Sequence, residues 1–367
     1  MPVSVTSIKR SRHKGEMRRG YTTGACATAA ALAALKALLT GQAQTQSLID
    51  LPIGEQAQFD LHRCRPGQAS VIKDAGDDPD CTHGAEIGVD VELTKTPGIR
   101  FFAGSGVATV TKPGLELAVG EPAINPVPRK MIKQHLLPLL PPGSGVKVTV
   151  WITDGEKLAE QTIGRRLGLI GGLSILGTRG TVHPYSTSAY AASVRQGIEV
   201  ARAQGLNHAV LTTGSRTERA AMLARPNMSE SAFIQAGDFS GVGLRAGARF
   251  GMERLTLVTM IGKLCKLAGG TTMTHVSGRA INFALMADTL AECGGDADLC
   301  QQVREANTGR HLLELIPSTL KPQFLNALCQ LAAAHCYRYA HHKLAIEVEL
   351  LDFDGAPLAF AAVGELK

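Results

Sequence analysis

Residues 73–84 read Lys-Asp-Ala-Gly-Asp-Asp-Pro-Asp-Cys-Thr-His-Gly and place four carboxylates (Asp74, Asp77, Asp78 and Asp80), an imidazole and an ammonium within one short stretch. Carboxylates and imidazoles exchange protons near neutral pH, so the cluster suits general acid or base work. Turn propensity accounts for some of these residues, since Asp bonds its own backbone and Gly supplies positive φ, but not for all of them. A hard-cation site is not assigned. The alternating D-x-[DN]-x-[DN]-G pattern is missing, and Pro79 interrupts the carboxylates.

A second group of candidates lies at three glycine turns. Thr212-Thr213-Gly214-Ser215-Arg216, Ala236-Gly237-Asp238 and Ile261-Gly262-Lys263 each follow an apolar run, and Lys266 and His275 come shortly after the third. An acidic residue at the end of a strand commonly takes ribose hydroxyls, which suits Asp238, although the same residue could simply cap the next helix. The chain has no G-x-G-x-x-G and no G-x-x-x-x-G-K-[ST], so neither a dinucleotide nor a triphosphate is signalled. S-adenosylmethionine, another nucleoside or a sugar are the ligands left for these turns.

The stretch Arg18-Arg19-Gly20-Tyr21-Thr22-Thr23-Gly24 precedes a run of Ala and Leu and reads as a helix opening on a hydroxyl-rich turn. Free amides and the positive dipole end of such a helix suit an anion, with Arg18 and Arg19 beside it. Alternatively Thr22 or Thr23 is only the N-cap. His335, Cys336, His341 and His342 crowd together without zinc spacing, so no metal is assigned there.

These groups need two kinds of scaffold. From 47 to 152 the pattern is short strands and turns, expected at 47–51, 69–73, 86–93, 106–110 and 146–152, with one helix at 129–137: an α+β arrangement. Residues 169–180 read as an apolar strand between glycine turns and as the hinge between halves. Beyond it strand, glycine turn and helix recur, with strands at 208–212, 231–235 and 254–260 and helices from 218, to 250 and to 268. Such repetition implies a parallel sheet, whose ligands bind at the carboxyl ends of its strands. Helices continue to about 338, and 344–351 with 358–362 reads as a closing hairpin. The fold class is therefore two-domain, α+β over 1–180 and α/β over 181–367.

At 367 residues the chain is long enough for two cores. A net charge of +6 fits an acidic small molecule, and with one Trp and 4% aromatics there is no base-stacking surface, so nucleic acid is not expected. Eight cysteines without a C-x-x-C pair indicate a reducing, cytoplasmic setting. The basic start lacks a following apolar region, and the stretch 25–39 is too short and Ala-rich to span a bilayer, so no membrane partner is expected.

Four segments in order, R-R-G-Y-T-T-G-A-C-A, K-D-A-G-D-D-P-D-C-T-H-G-A-E-I, G-G-L-S-I-L-G-T-R-G and I-G-K-L-C-K-L-A-G-G, together resemble the CbiD family. That family comprises the cobalt-precorrin-5B C(1)-methyltransferases of anaerobic cobalamin biosynthesis. The resemblance implies methyl transfer from S-adenosylmethionine to ring carbon 1 of the cobalt macrocycle, giving cobalt-precorrin-6A and S-adenosylhomocysteine. It also implies an N-terminal domain like the second domain of ribosomal protein S5, followed by a Rossmann-like domain.

On this resemblance the macrocycle carboxylates are held by Arg18, Arg19, Thr22, Thr23, Gly24, Lys73, Lys263 and Lys266, with Asp74, Asp77, Thr82 and His275 around them. His83 first, then Asp78, would take the released proton, unless the loop only shapes the site and water takes it. The methyl donor would rest on Gly172, Ser174, Gly177, Thr178, Thr213, Gly214, Asp238 and Gly262. Met260, Ser215 and Asp238 depart from the family pattern at the glycine turns. A methyltransferase for a cobalt-free tetrapyrrole and a non-catalytic corrinoid-binding protein are the alternatives. A homo-oligomer and hand-over to other corrin-pathway enzymes are both compatible with the sequence.

Overall fold

The computed structural model describes residues 17–274 and 280–365. The chain divides into two compact units at Ser186, with two short segments, Thr111–Val119 and Arg166–Gly168, grouping with the second unit.

The first unit is built on one long helix, α1 (Thr23–Thr40), and a five-stranded sheet of β1 (Arg63–Arg65), β2 (Gln68–Ile72), β3 (Glu86–Thr94), β4 (Gly98–Ala103) and β5 (Gly145–Ile152). The order across the sheet is β1-β2-β3-β5-β4, antiparallel except where β5 runs parallel to β4. Alternation explains the burial of β5. Val146, Val148, Val150 and Ile152 face the core, as period two requires. On the other face of this pair the only tryptophan, Trp151, lies over Gly88, where a Cβ would come within 2.0 Å of its ring.

Helix α1 packs on β2 and β3, and a second helix, α2 (Pro126–Leu136), packs on α1. Its Ala-rich sequence is buried on almost every side, and the helix stops at Gly41 in the left-handed conformation (φ 72°). By length and composition α1 could cross a bilayer, contrary to the expectation that this stretch is too short. Its surface is instead covered by its own unit.

Two expected elements break into smaller pieces. The strand expected at 106–110 is two pairs of residues, Gly106–Val107 beside Gly172–Leu173 and Thr109–Val110 beside Leu169–Ile170. The stretch 169–180 likewise splits, because Gly171 turns with φ 89°.

In the second unit the strands are β6 (His208–Thr212), β7 (Phe233–Gln235), β8 (Arg254–Met260), β9 (Ala345–Leu351) and β10 (Pro357–Val363), in the order β7-β6-β8-β9-β10. All neighbours are parallel except the closing β9/β10 pair. Helices α3 (Thr187–Ala203), α5 (Ser240–Phe250), α6 (Ile261–Ala268) and α7 (Lys321–Tyr339) share one core with Ala209, Leu211, Leu255, Leu257, Ile346 and Val348. Helix α4 (Ser215–Ala224) covers part of the opposite face through Ala221 against Val210 and Val258. Ser215 opens α4 a turn earlier than expected, and a 3-10 turn, Glu230–Ala232, replaces the first part of the strand expected at 231–235.

Candidate functional site

The acidic loop hangs from the end of β2 and returns at the start of β3. It is closed at its base: Lys73 N–H donates to the Ala85 carbonyl (2.9 Å) and Gly84 N–H to the Lys73 carbonyl (2.8 Å). The Lys73 side chain turns inward and is 1% exposed, and its Nζ donates to Asp80 Oδ2 at 2.7 Å. The other oxygen of Asp80 accepts from both the amide and the hydroxyl of Thr82 (2.8 and 2.6 Å). Burial pushes the Asp80 acid up, but the Lys73 ammonium and these donors outweigh it and leave its pKa below the ordinary value.

The chain before α1 is strapped to the loop's outer half. Arg18 forks both carboxylate oxygens of Asp74, Nη2 reaching Oδ1 at 2.9 Å, and this pairing holds the Asp74 pKa down to about 2. Tyr21 N–H donates to the Asp74 carbonyl at 2.8 Å. The approach is close enough to require glycine on both sides. A Cβ at Gly20 would lie 2.0 Å from the carbonyl carbon of Ala75, and one at Gly76, where φ is 68°, would lie 2.3 Å from the Arg18 oxygen. Asp78 Oδ1 accepts from Tyr185 N–H at 2.9 Å, and His83 Nδ1 accepts from Ala75 N–H at 3.1 Å.

Thr22 is the N-cap of α1, its hydroxyl accepting from Ala25 N–H (3.2 Å). The Thr22 amide donates to the Gly180 carbonyl and the Gly24 amide to Leu176, both at 3.0 Å. Thr23 Oγ1 accepts from Leu176 N–H at 2.9 Å. With these groups spent and buried inside the unit, the helix start does not stand open as an anion cradle. Lys73 is similarly committed, whereas Arg19 is exposed. Gly172 and Gly177 are explained by packing: a Cβ would meet the Gly106 carbonyl oxygen at 2.1 Å and the Thr22 side chain at 2.4 Å. Ser174 and Thr178 belong to the same segment, the carbonyl of Ser174 lying 3.5 Å from the Thr23 hydroxyl.

In the second unit the turns after β6, β7 and β8 meet at the carboxyl edge of the sheet. Lys263 Nζ pairs with Asp238 Oδ1 at 3.1 Å and donates to the Thr213 carbonyl at 2.9 Å, so one ammonium ties all three turns together. The same carboxylate oxygen accepts from Thr274 Oγ1 at 2.8 Å, and Lys266 Nζ donates to the Thr274 carbonyl at 2.9 Å. Asp238 does not cap α5, whose N-cap is Phe239 without a side-chain bond. Gly262 lies at the start of α6, and His275 falls outside the described residues.

Three residues without a forecast role complete these sites. Asp80 is the counter-ion of Lys73, Thr274 braces Asp238, and Tyr190 stacks on Phe239 (5.2 Å between ring centroids) and donates its hydroxyl to the Gln235 carbonyl at 3.0 Å. Tyr190 also stands over Gly237, where a Cβ would come within 2.9 Å of its oxygen. Asp80 was visible as one more acid of the loop; nothing in the sequence pairs Tyr190 with a turn more than forty residues away.

The amides of Thr213 and Gly214 both donate to Thr217 Oγ1 (3.1 Å), so no anion cradle is left there, while a Cβ at Gly214 would meet nothing within 4 Å. Among the described residues no group of His, Cys, Asp and Glu is arranged to hold a metal ion.

The chain is thus a mixed α/β protein with a strapped acidic loop on one unit and a glycine-turn edge on the other. Comparison with known proteins gives its family. The profile of the CbiD family matches residues 10–184, and that of its C-terminal domain matches residues 273–362. A cobalt-precorrin-5B C(1)-methyltransferase of Salinispora arenicola is 46% identical over 93% of this chain and 91% of its own length. One of a Geobacillus species is 44% identical over 95% and 97%. A solved structure, the cobalamin biosynthesis protein (cbiD) from Archaeoglobus fulgidus, covers 70% of this chain and 81% of its own at 25% identity, with a TM-score of 0.39. The chain belongs to the CbiD family.

Proposed function

We propose that this chain methylates ring carbon 1 of cobalt-precorrin-5B with S-adenosylmethionine, giving cobalt-precorrin-6A in cobalamin biosynthesis. The observation that carries the reading is its match, over almost the full length of both chains, to relatives named for that reaction. The donor supplies an already activated sulfonium methyl, so the protein's work is to position the ring carbon and keep competing water away. Thr213, Gly214, Asp238 and Gly262 would hold the donor, with Asp238 offered to its ribose hydroxyls. Arg19, the Arg18–Asp74 pair and the acidic loop would meet the carboxylate-rich macrocycle.

The strand order of the second unit, in which the chain's progression across the parallel strands reverses between β6 and β8, supports reading it as Rossmann-like. The helix-on-sheet first unit is read as resembling the second domain of ribosomal protein S5. Eight cysteines as free thiols, most of them buried, support the reading of a cytoplasmic location.

The test is incubation with cobalt-precorrin-5B and S-adenosylmethionine, read by mass spectrometry. The expected result is one added methyl group and one S-adenosylhomocysteine per ring. A protein that binds the ring and forms no S-adenosylhomocysteine would be a carrier instead. Calorimetry with S-adenosylhomocysteine locates the donor site: Gly214→Trp should abolish binding if that turn holds it.

A further inference from the structure

The imidazole of the acidic loop invites a base role, yet its hydrogen bonding forbids one. A backbone amide can only donate, so the contact from Ala75 N–H to His83 Nδ1 at 3.1 Å fixes Nδ1 as the unprotonated nitrogen. The single proton of the neutral ring then sits on Nε2. Nε2 has no hydrogen-bond partner among the described residues, and the side chain is 53% exposed. The 3.8 Å approach of Nδ1 to Asp74 Oδ1 would count as an ion pair only if Nδ1 carried a proton, which would set two donors against each other at Ala75.

Ala75 cannot turn its amide away. It is fully buried, its neighbour Asp74 is forked by Arg18, and its own backbone lies against Gly20 with no room for a Cβ between them. We propose that His83 meets the macrocycle as a hydrogen-bond donor through Nε2–H, orienting one of the ring's carboxylates, and that it does not take a proton from the ring. This rests on the methyltransferase reading given above. A proton lost from the ring leaves to Asp78 or to water. Asp78 spends one carboxylate oxygen on Tyr185 N–H and keeps the other.

The direct test is ¹⁵N NMR of the full chain labelled at histidine, at neutral pH. The expected pattern for His83 is an unprotonated Nδ1 and a protonated Nε2, and the opposite tautomer overturns the proposal whatever the activity. The kinetic test compares His83→Phe, which keeps a ring and removes both nitrogens, with His83→Gln, which restores a donor near the Nε2 position but cannot act as a base. Loss of one hydrogen bond to a carboxylate raises KM for the macrocycle roughly tenfold in His83→Phe, and His83→Gln recovers most of that loss. A base role predicts instead that both variants lose kcat by about a hundredfold or more and that both lose the acidic limb of the pH profile. Failure of the broader reading looks different: the wild-type protein then forms no S-adenosylhomocysteine, and the donor role falls with it.

Discussion

Arg18 and Asp77 are joined by a reciprocal pair of hydrogen bonds: the Arg18 amide donates to Asp77 Oδ2 at 2.8 Å, and the Asp77 amide donates back to the Arg18 carbonyl at 3.0 Å. Neither bond uses the guanidinium, which is free to fork Asp74. The chain before α1 and the first half of the acidic loop are thus one structural piece, held by backbone as well as by charge.

Gly76 is where that piece is most easily broken. Gly76→Ala has to accommodate both a positive φ and a Cβ 2.3 Å from the Arg18 oxygen, so it should cost about 3 kcal/mol or more of local stability. Hydrogen exchange should show the loss at residues 18–21 and 74–78, with the β5 amides unchanged. Uniform loss of protection across the unit would mean that the strap is not a separate piece.

Removing Lys73 should hurt more than its distance from the surface suggests. In Lys73→Met the Asp80 carboxylate stays partly buried without its cation, at a cost of about 3–5 kcal/mol. Lys73→Met with Asp80→Asn should recover a substantial part, because Asn still accepts from Thr82 and carries no charge. Chemical denaturation of the two single variants and the double variant gives the coupling. Additive losses would show that the ion pair contributes nothing.

Acid should act on the second unit through His208. Burial first, then the nearby Arg254, lowers its pKa to about 4, and its Nε2 bonds Thr256 Oγ1 at 2.7 Å, while Thr256 in turn donates to Glu347. The folded pKa lies below the unfolded one, so the stabilisation is fully present above about pH 6.5 and is lost as pH falls toward 4, by about 3 kcal/mol at most. His208→Gln keeps a donor for Thr256 and should flatten that part of the pH dependence. Equal slopes for both proteins in urea unfolding between pH 7 and 4.5 would assign the acid sensitivity to other groups.

At the sheet edge the donor reading makes Asp238 more important than Lys266. Asp238→Ala should weaken S-adenosylhomocysteine binding about tenfold, the value of a lost charge-assisted hydrogen bond. Lys266→Met loses a bond to the Thr274 carbonyl alone and should stay within about threefold in the same calorimetry. A larger effect from Lys266→Met would move the site away from Asp238.

Much of the scaffold was legible because it obeys short-range rules. The alternation Val146, Val148, Val150 and Ile152 marks β5, and the runs before Gly214, Gly237 and Gly262 mark the strands of the second sheet. The acidic loop and the three turns were found by the density of charge and glycine. What could not be read was how donors and acceptors are spent. That Thr217 absorbs the amides of Thr213 and Gly214, or that Lys73 points inward to Asp80, depends on side-chain directions that local composition does not encode. The contact of the Ala75 amide with His83 Nδ1 is hidden from the sequence for the same reason.

Strand β9 lies beside β8 in the second sheet, although Met260 and Ala345 are separated in the chain by the whole helical segment between them. While the protein is being made, β8 therefore waits with one side of its backbone unpaired until β9 has left the ribosome. Long-range pairing of this kind is slow and leaves an adhesive edge exposed in the meantime. Strands β9 and β10 thus govern how much of the protein escapes self-association at birth, and damage to β10 should show first as lower yield.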